Sequence, residues 1–264
     1  MSVVGAGNRQ YEVVENWPEL PEGVTFGQVV EMVVDSQDRV YIFHRNDPSP
    51  LIFSTSGEYL GTWQDSSNWR DIHGVTVATD DEGDYFIVVD RDRNAVSRTD
   101  LDGVVKWTVG TAEAAAAGNG ETFNRPTDAG VAPNGDVYVS DGYGNARVHQ
   151  YTADGKHVRS WGSPGVGQGQ FNLVHAVRVI ERQGEPTVYV CDRQNHRIQL
   201  FTLDGAYLHK LSGFLQPTDI IVDDEGVRYV SELQGRVTIL DQDDFPIARI
   251  GGEQKPEPGF FVAP

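Results

Sequence analysis

FNRPTDAGVAPNGDVYVSDGYGNARVHQYTADGKHVRSWG, residues 123 to 162, decides the fold. It reads as short apolar strands separated by turn residues. Asn134-Gly135 and Asp154-Gly155 supply residues that tolerate positive φ, and Asp154-Gly155 predicts a type I′ hairpin. Apolar and polar residues alternate, as half-buried strands require, and 3.6-residue periodicity is not sustained here or elsewhere.

Working outward, the same unit recurs five times. Its cores are VEMVVDSQDRVYIFHR (30 to 45), VTVATDDEGDYFIVVDRDRNAV (75 to 96), AGVAPNGDVYVSDGYGNARV (129 to 148), AVRVIERQGEPTVYVCDRQNHRI (176 to 198) and IIVDDEGVRYVSELQGRV (220 to 237). The acidic residues ending three second strands, Asp90, Asp141 and Asp192, recur at an interval of 51 residues, and Glu232 follows 40 later. Such periods suit four strands per propeller blade. The repeats predict a single all-β domain with blades over roughly 27–63, 72–110, 123–162, 171–213 and 214–252. Asp204-Gly205 predicts a second type I′ turn, and the alanine run in 111 to 123 one short helical turn.

YEVVENW (11 to 17) has no partner strands in this scheme, and GFFVAP (259 to 264) parallels the blade openings FLQP (214 to 217) and FNRP (123 to 126). Together they predict a sixth, incomplete blade. A five-blade ring closed by the N-terminal strand is the alternative.

The chain has 264 residues, 39% of them hydrophobic, enough for a sizeable core. A net charge of −18 argues against nucleic acid and anionic membranes as partners, leaving a small-molecule or peptide substrate. One cysteine, Cys191, excludes an intrachain disulfide framework, and the N-terminus has neither a basic nor an apolar signal region. No apolar run reaches the roughly 20 residues of a membrane span. A cytoplasmic protein is expected.

Aligning the start of the first strand in each repeat gives Val30, His73, Thr127, His175 and Thr218. First strands line the channel of a propeller, and alternate blades of a six-blade ring lie about 120° apart. His73 and His175 could therefore share an axial ion with a third ligand expected beyond Pro264. Neutral imidazoles with an open position suit a catalytic zinc. A histidine at a strand end can equally be a packing residue. His44, His149, His157, His196 and His209 lack the shared register and read as surface positions or as supports for other side chains.

The loops leaving the second strands carry Arg45, Asp90, Arg91, Asp141, Tyr143, Asp192, Arg193 and Glu232. Arginines there could clamp a carboxylate, and a tyrosine could serve as general base. The aspartates fit better as partners of turn amides, with arginines pairing to aspartates of neighbouring blades. Arg45 and Tyr143 depart from the repeat and tilt toward function.

The repeat resembles that of NHL-repeat β-propellers over nearly the whole chain. Within them, FGQVVEMVVD with IFHRNDP (26 to 48), IHGVTV (72 to 77), VSDGYGNARV (139 to 148), FNLVHAV (171 to 177) and CDRQNHRIQLF (191 to 201) are similar to the peptidyl-α-hydroxyglycine α-amidating lyases. The resemblance implies a zinc-dependent lyase that cleaves a carbon–nitrogen bond and releases glyoxylate. It places zinc on His73 and His175, the catalytic tyrosine on Tyr143, active-site arginines on Arg45 and Arg193, and a structural calcium on the carbonyls of Met32 and Val75. This chain has Gly144 where secreted relatives carry a disulfide cysteine. The acidic surface makes a small α-hydroxy amide as plausible a substrate as a peptide. The alternatives are a metal-dependent lactonase or hydratase, and a non-enzymatic protein-interaction scaffold on the same fold.

Overall fold

The computed structural model describes residues 3–7, 9–64, 69–110 and 122–252. Five four-stranded antiparallel sheets follow one another along the chain. Sheet I is Val29–Val34, Arg39–His44, Leu51–Ser54 and Tyr59–Thr62, and sheet II is Ile72–Asp80, Gly83–Asp90, Ala95–Thr99 and Val105–Gly110. Sheet III is Asp128–Val131, Val137–Asp141, Arg147–Tyr151 and His157–Trp161. Sheet IV is Val174–Arg182, Glu185–Asp192, Arg197–Phe201 and Tyr207–Ser212, and sheet V is Pro217–Val222, Arg228–Glu232, Arg236–Leu240 and Pro246–Gly251. In each, strand order follows chain order, as in the blades of an all-β propeller.

Two compact units divide the chain, residues 16–145 with 149–160, and residues 1–15 with 146–148 and 161–264. In the first, the opening strand of sheet II lies against those of sheets I and III. In the second, the opening strands of sheets IV and V meet. The second strands carry β-branched and aromatic runs such as YFIVVD and TVYVCD and are buried along almost their whole length, whereas the fourth strands are largely exposed. Tyr41, Phe43, Trp63, Phe86 and Val88 fill the space between sheets I and II. Tyr189, Cys191, Ile220 and Val230 do the same between sheets IV and V. Trp63 leaves sheet I to donate its indole N–H to the Leu101 carbonyl at 2.8 Å, and Trp107 of sheet II reaches the Ala153 carbonyl at 3.0 Å. These tryptophans tie each sheet to the next turn.

The structure corrects the sequence in two places. Asp154-Gly155 and Asp204-Gly205 do not form type I′ turns, because only the glycines have positive φ (80° and 84°). Gly155 N–H bonds the Thr152 carbonyl and Thr152 N–H bonds the Lys156 carbonyl, both at 2.9 Å, closing a three-residue loop with the glycine in the left-handed region. The stretch 11 to 17 was expected to have no partner strand, yet Arg9–Glu12 pairs with Val3–Ala6 in a hairpin, and Val4 and Tyr11 pack on Val227, Ile239 and Ile250 of sheet V. Of the histidines read as surface positions or supports for other side chains, His44 and His149 are buried, and His149 has a supporting role. His149 donates to Asp141 at 3.4 Å, the task that Gln199 performs on Asp192 in sheet IV.

The expected helical turn in 111 to 123 falls mostly, and GFFVAP wholly, outside the described residues, which contain five such sheets. No helix among the described residues is long and apolar enough to cross a membrane.

Candidate functional site

Two backbone devices, repeated from sheet to sheet, place the candidate residues. The first is a β-bulge at the start of the opening strand. Pairing skips a residue between Val29 and Glu31, Ile72 and Gly74, Val174 and Ala176, and Pro217 and Asp219. The skipped residues are Val30, His73, His175 and Thr218, four of the five aligned in the sequence; the fifth, Thr127, directly precedes its strand. A bulge frees one side chain from the alternation of the strand and re-aims it.

The second device is a hydrogen bond just past the second strand. The backbone N–H of Arg45 bonds the Gln28 carbonyl at 3.0 Å, Arg91 bonds Asp71 at 2.9 Å, and Tyr143 bonds Arg125 at 3.3 Å. Arg193 bonds Leu173 at 3.1 Å and Leu233 bonds Gln216 at 3.0 Å. Each acceptor lies two residues before the residue of the first device. Arg45, Arg91, Tyr143, Arg193 and Leu233 therefore hold one and the same structural position. Arg45 and Tyr143, which look irregular in sequence, are regular in space.

His73 and Tyr143 meet. The His73 Nδ1–H donates to the Thr127 carbonyl at 2.8 Å, leaving Nε2 bare to accept the Tyr143 hydroxyl at 3.0 Å. Gly74 permits this geometry, since a Cβ there would stand 2.8 Å from the Thr127 carbonyl oxygen and 2.7 Å from Asp128 Oδ1. Burial pushes the His73 imidazole below its usual pKa range; Arg91 and Arg45 add to the effect, while the Thr127 carbonyl and Asp71 oppose it. His73 is thus held neutral. In the other unit His175 repeats the arrangement, with Nδ1–H donated to the Thr218 carbonyl at 2.9 Å. Thr127 and Thr218 are themselves fixed by hydroxyl bonds of 2.7 Å to Ser140 and Ser231.

Arg45 borders a cleft of about 380 Å³ whose wall includes Trp69, Arg70, Asp71 and Arg91. Its Nε donates to Asp71 Oδ1 at 2.7 Å and its Nη1 to Gln28, leaving Nη2 without a partner among the described residues. The Asp71 side chain is 7% exposed, and its second oxygen is ion-paired with Arg91. Arg91 and Arg125 place their guanidinium carbons 5.8 and 5.6 Å from the Tyr143 ring centroid. Arg193 opens the short 3₁₀ turn Arg193–Asn195. As expected, the repeat aspartates hold turn amides: Asp90 accepts from Arg70, Asp71 and Arg93, Asp141 from Asn124, and Asp192 from Asn172.

The donor chemistry of the two histidines fits zinc, which takes neutral imidazoles whose second nitrogen is anchored on a carbonyl. No group of three or more His, Cys, Asp or Glu among the described residues converges on a metal position. Met32 and Val75, the residues expected to offer carbonyls to calcium, lie on the opening strands of sheets I and II and pair with Ile42 and Val88.

Asp71 and Arg125 escaped the sequence analysis. No sequence signal marks them: the position two before the aligned residue is left-handed at Arg125, Leu173 and Gln216, with φ of 58°, 66° and 61°, but not at Gln28 or Asp71.

The NHL repeat family model matches residues 123–151. The chain is 29% identical over 233 residues to the peptidyl-glycine α-amidating monooxygenase of Mus musculus, an alignment covering 75% of this chain and 23% of the mouse protein. It is 27% identical over 235 residues to peptidyl-α-hydroxyglycine α-amidating lyase 1 of Drosophila melanogaster, covering 76% of this chain and 42% of the fly protein. This chain therefore spans less than half the length of either relative. Among solved structures, a streptogramin B lyase superposes with a TM-score of 0.62 at 12% identity, covering 86% of this chain and 70% of that one, a likeness of fold alone. Repeat, sheet order and sequence similarity agree that the chain is an NHL-repeat β-propeller resembling the peptidyl-α-hydroxyglycine α-amidating lyases.

Proposed function

We propose that this chain is a zinc-dependent lyase that cleaves the carbon–nitrogen bond of a small or peptidyl α-hydroxyglycine-type amide and releases glyoxylate. One observation carries the reading: the Tyr143 hydroxyl lies 3.0 Å from the bare nitrogen of an imidazole whose other nitrogen is committed to a carbonyl. Similarity to the amidating lyases over three quarters of the chain supports lyase-like chemistry at the level of the family.

Each of His73 and His175 offers a ligand of the kind zinc takes, and zinc bound there would act as a Lewis acid on the substrate hydroxyl. With Nε2 given to a metal, the Tyr143 hydroxyl would be free of it and would accept the hydroxyl proton while giving its own to the departing nitrogen. The carbon–nitrogen electron pair leaves with the amide, the hydroxyl carbon becomes the aldehyde of glyoxylate, and the phenol ends as it began. Arg45 orients the carboxylate through its unoccupied Nη2, and Arg193 holds the matching position in sheet IV. A calcium held through the carbonyls of Met32 and Val75 would be structural.

The test is zinc-loaded protein incubated with an N-acyl-α-hydroxyglycine, with glyoxylate trapped as its hydrazone. Tyr143→Phe should lower kcat by roughly 10²- to 10⁴-fold, the usual contribution of a positioned proton-transfer group. Glyoxylate release no faster than the uncatalysed rate with zinc-loaded wild type would overturn the reading.

A further inference from the structure

Arg91 shares its backbone position with Arg45, Tyr143 and Arg193, yet neither the resemblance nor the mechanism gives it a task. Three contacts supply one. Its N–H bonds the Asp71 carbonyl at 2.9 Å, fixing where the side chain begins. Its guanidinium is ion-paired with Asp71, whose other oxygen takes Arg45 Nε at 2.7 Å. The same guanidinium stands 5.8 Å from the centroid of the Tyr143 ring, which itself meets the His73 ring edge-on at 5.2 Å. One buried carboxylate thus couples a cleft arginine to an arginine that touches the tyrosine.

We propose that Arg91, held by Asp71, is a positioning residue of this site, keeping the Tyr143 ring against His73 and, through the shared carboxylate, keeping Arg45 in place for a ligand carboxylate. Naming that ligand as the carboxylate of an α-hydroxyglycine rests on the proposed function; the positioning of Tyr143 does not. The guanidinium plane is what the task requires, because it pairs with Asp71 and faces an aromatic ring together, which an ammonium cannot do to the same degree. Asp92 also pairs with Arg91 at 3.1 Å but is half exposed, so Asp71 is the partner that sets the geometry.

The experiment compares full-length zinc-loaded wild type, Arg91→Gln, Arg91→Lys and Asp71→Asn, each first shown to keep the wild-type near-ultraviolet circular dichroism. Tyr143 ring resonances, assigned by comparison with Tyr143→Phe, report the contact with His73 without any turnover. N-acetylglycine, which carries the carboxylate but no hydroxyl, reports binding at the cleft through Trp69 fluorescence. Arg91→Gln should shift the Tyr143 resonances toward those of free tyrosine and weaken N-acetylglycine about tenfold, one charge-assisted contact's worth. Asp71→Asn should do the same, and Arg91→Lys should restore part of both. Where turnover is measured, kcat should fall more than KM rises. Folded Arg91→Gln with wild-type Tyr143 resonances and wild-type N-acetylglycine affinity overturns the proposal. If wild type releases no glyoxylate while the resonances and affinity still change, the lyase reading fails and the positioning role stands.

Discussion

Replacing Gly74 by alanine tests how the candidate site is held. The added methyl would stand 2.8 Å from the Thr127 carbonyl oxygen and 2.9 Å from Asp128 Cα, where ordinary contact begins at 3.4 Å. These are backbone atoms of the neighbouring strand, so relief requires a shift of roughly 0.6 Å between the first strands of sheets II and III. The His73 Nδ1 bond to that carbonyl is 2.8 Å long, and a move of such size stretches it to roughly 3.4 Å, past the ordinary N–H···O length, and forfeits most of its strength. Overpacking costs about 1–3 kcal/mol and the lost bond about 1 kcal/mol. The lower entropy of an unfolded chain carrying alanine returns about 0.4–1 kcal/mol. A net loss of about 1–3.5 kcal/mol follows, measured as a lower urea midpoint at unchanged slope. Nitrogen-15 shifts of His73 should show Nδ1 losing its fixed proton. A Gly74→Ala protein as stable as wild type, with the His73 tautomer intact, would refute the view that close backbone approach sets this imidazole.

Two further outcomes are expected. His149→Gln should change stability by less than about 1 kcal/mol, because Gln199 serves Asp192 in sheet IV as His149 serves Asp141; a loss above about 2 kcal/mol in thermal melting would show that the imidazole has a task of its own. His44 is buried and its pKa lies below the usual imidazole range, so below about pH 6.5 the unfolded chain binds a proton that the native state refuses. Stability should therefore fall as pH drops through that range, and less so in His44→Asn; parallel urea midpoints of the two proteins from pH 7.5 to 5.0 would count against it.

Much of the architecture was legible because its signals are local. The aromatic and valine runs of the second strands, such as VYIF and YFIVV, and the spacing of Asp90, Asp141 and Asp192 need no tertiary knowledge. The aligned positions Val30, His73, His175 and Thr218 were legible too, although their common cause, a bulge in each strand, was not. An extra residue in a strand leaves no mark in composition. Turn type was misjudged for a similar reason: Asp-Gly is compatible with a two- or a three-residue loop, and the bond from Thr152 to Lys156 decides between them. Asp71 stayed hidden because a buried carboxylate beside two arginines looks, in RDIHG, like one more surface charge. The partner of Arg9–Glu12 was missed because VVGA is too short and glycine-rich to announce a strand.

The bulge and the bond past each second strand also say how this scaffold can change its chemistry. Both place a side chain through the main chain, indifferent to which side chain it is: the same bond holds arginine at 45, 91 and 193, tyrosine at 143 and leucine at 233. Four of the five sheets thus present a pair of sockets that can be refilled without redrawing the ladder around them. Val30 and Leu233 are the sockets now filled with hydrocarbon. A histidine at one or an arginine at the other is the shortest step by which selection, or a designer, could add a ligand or a cation to this molecule.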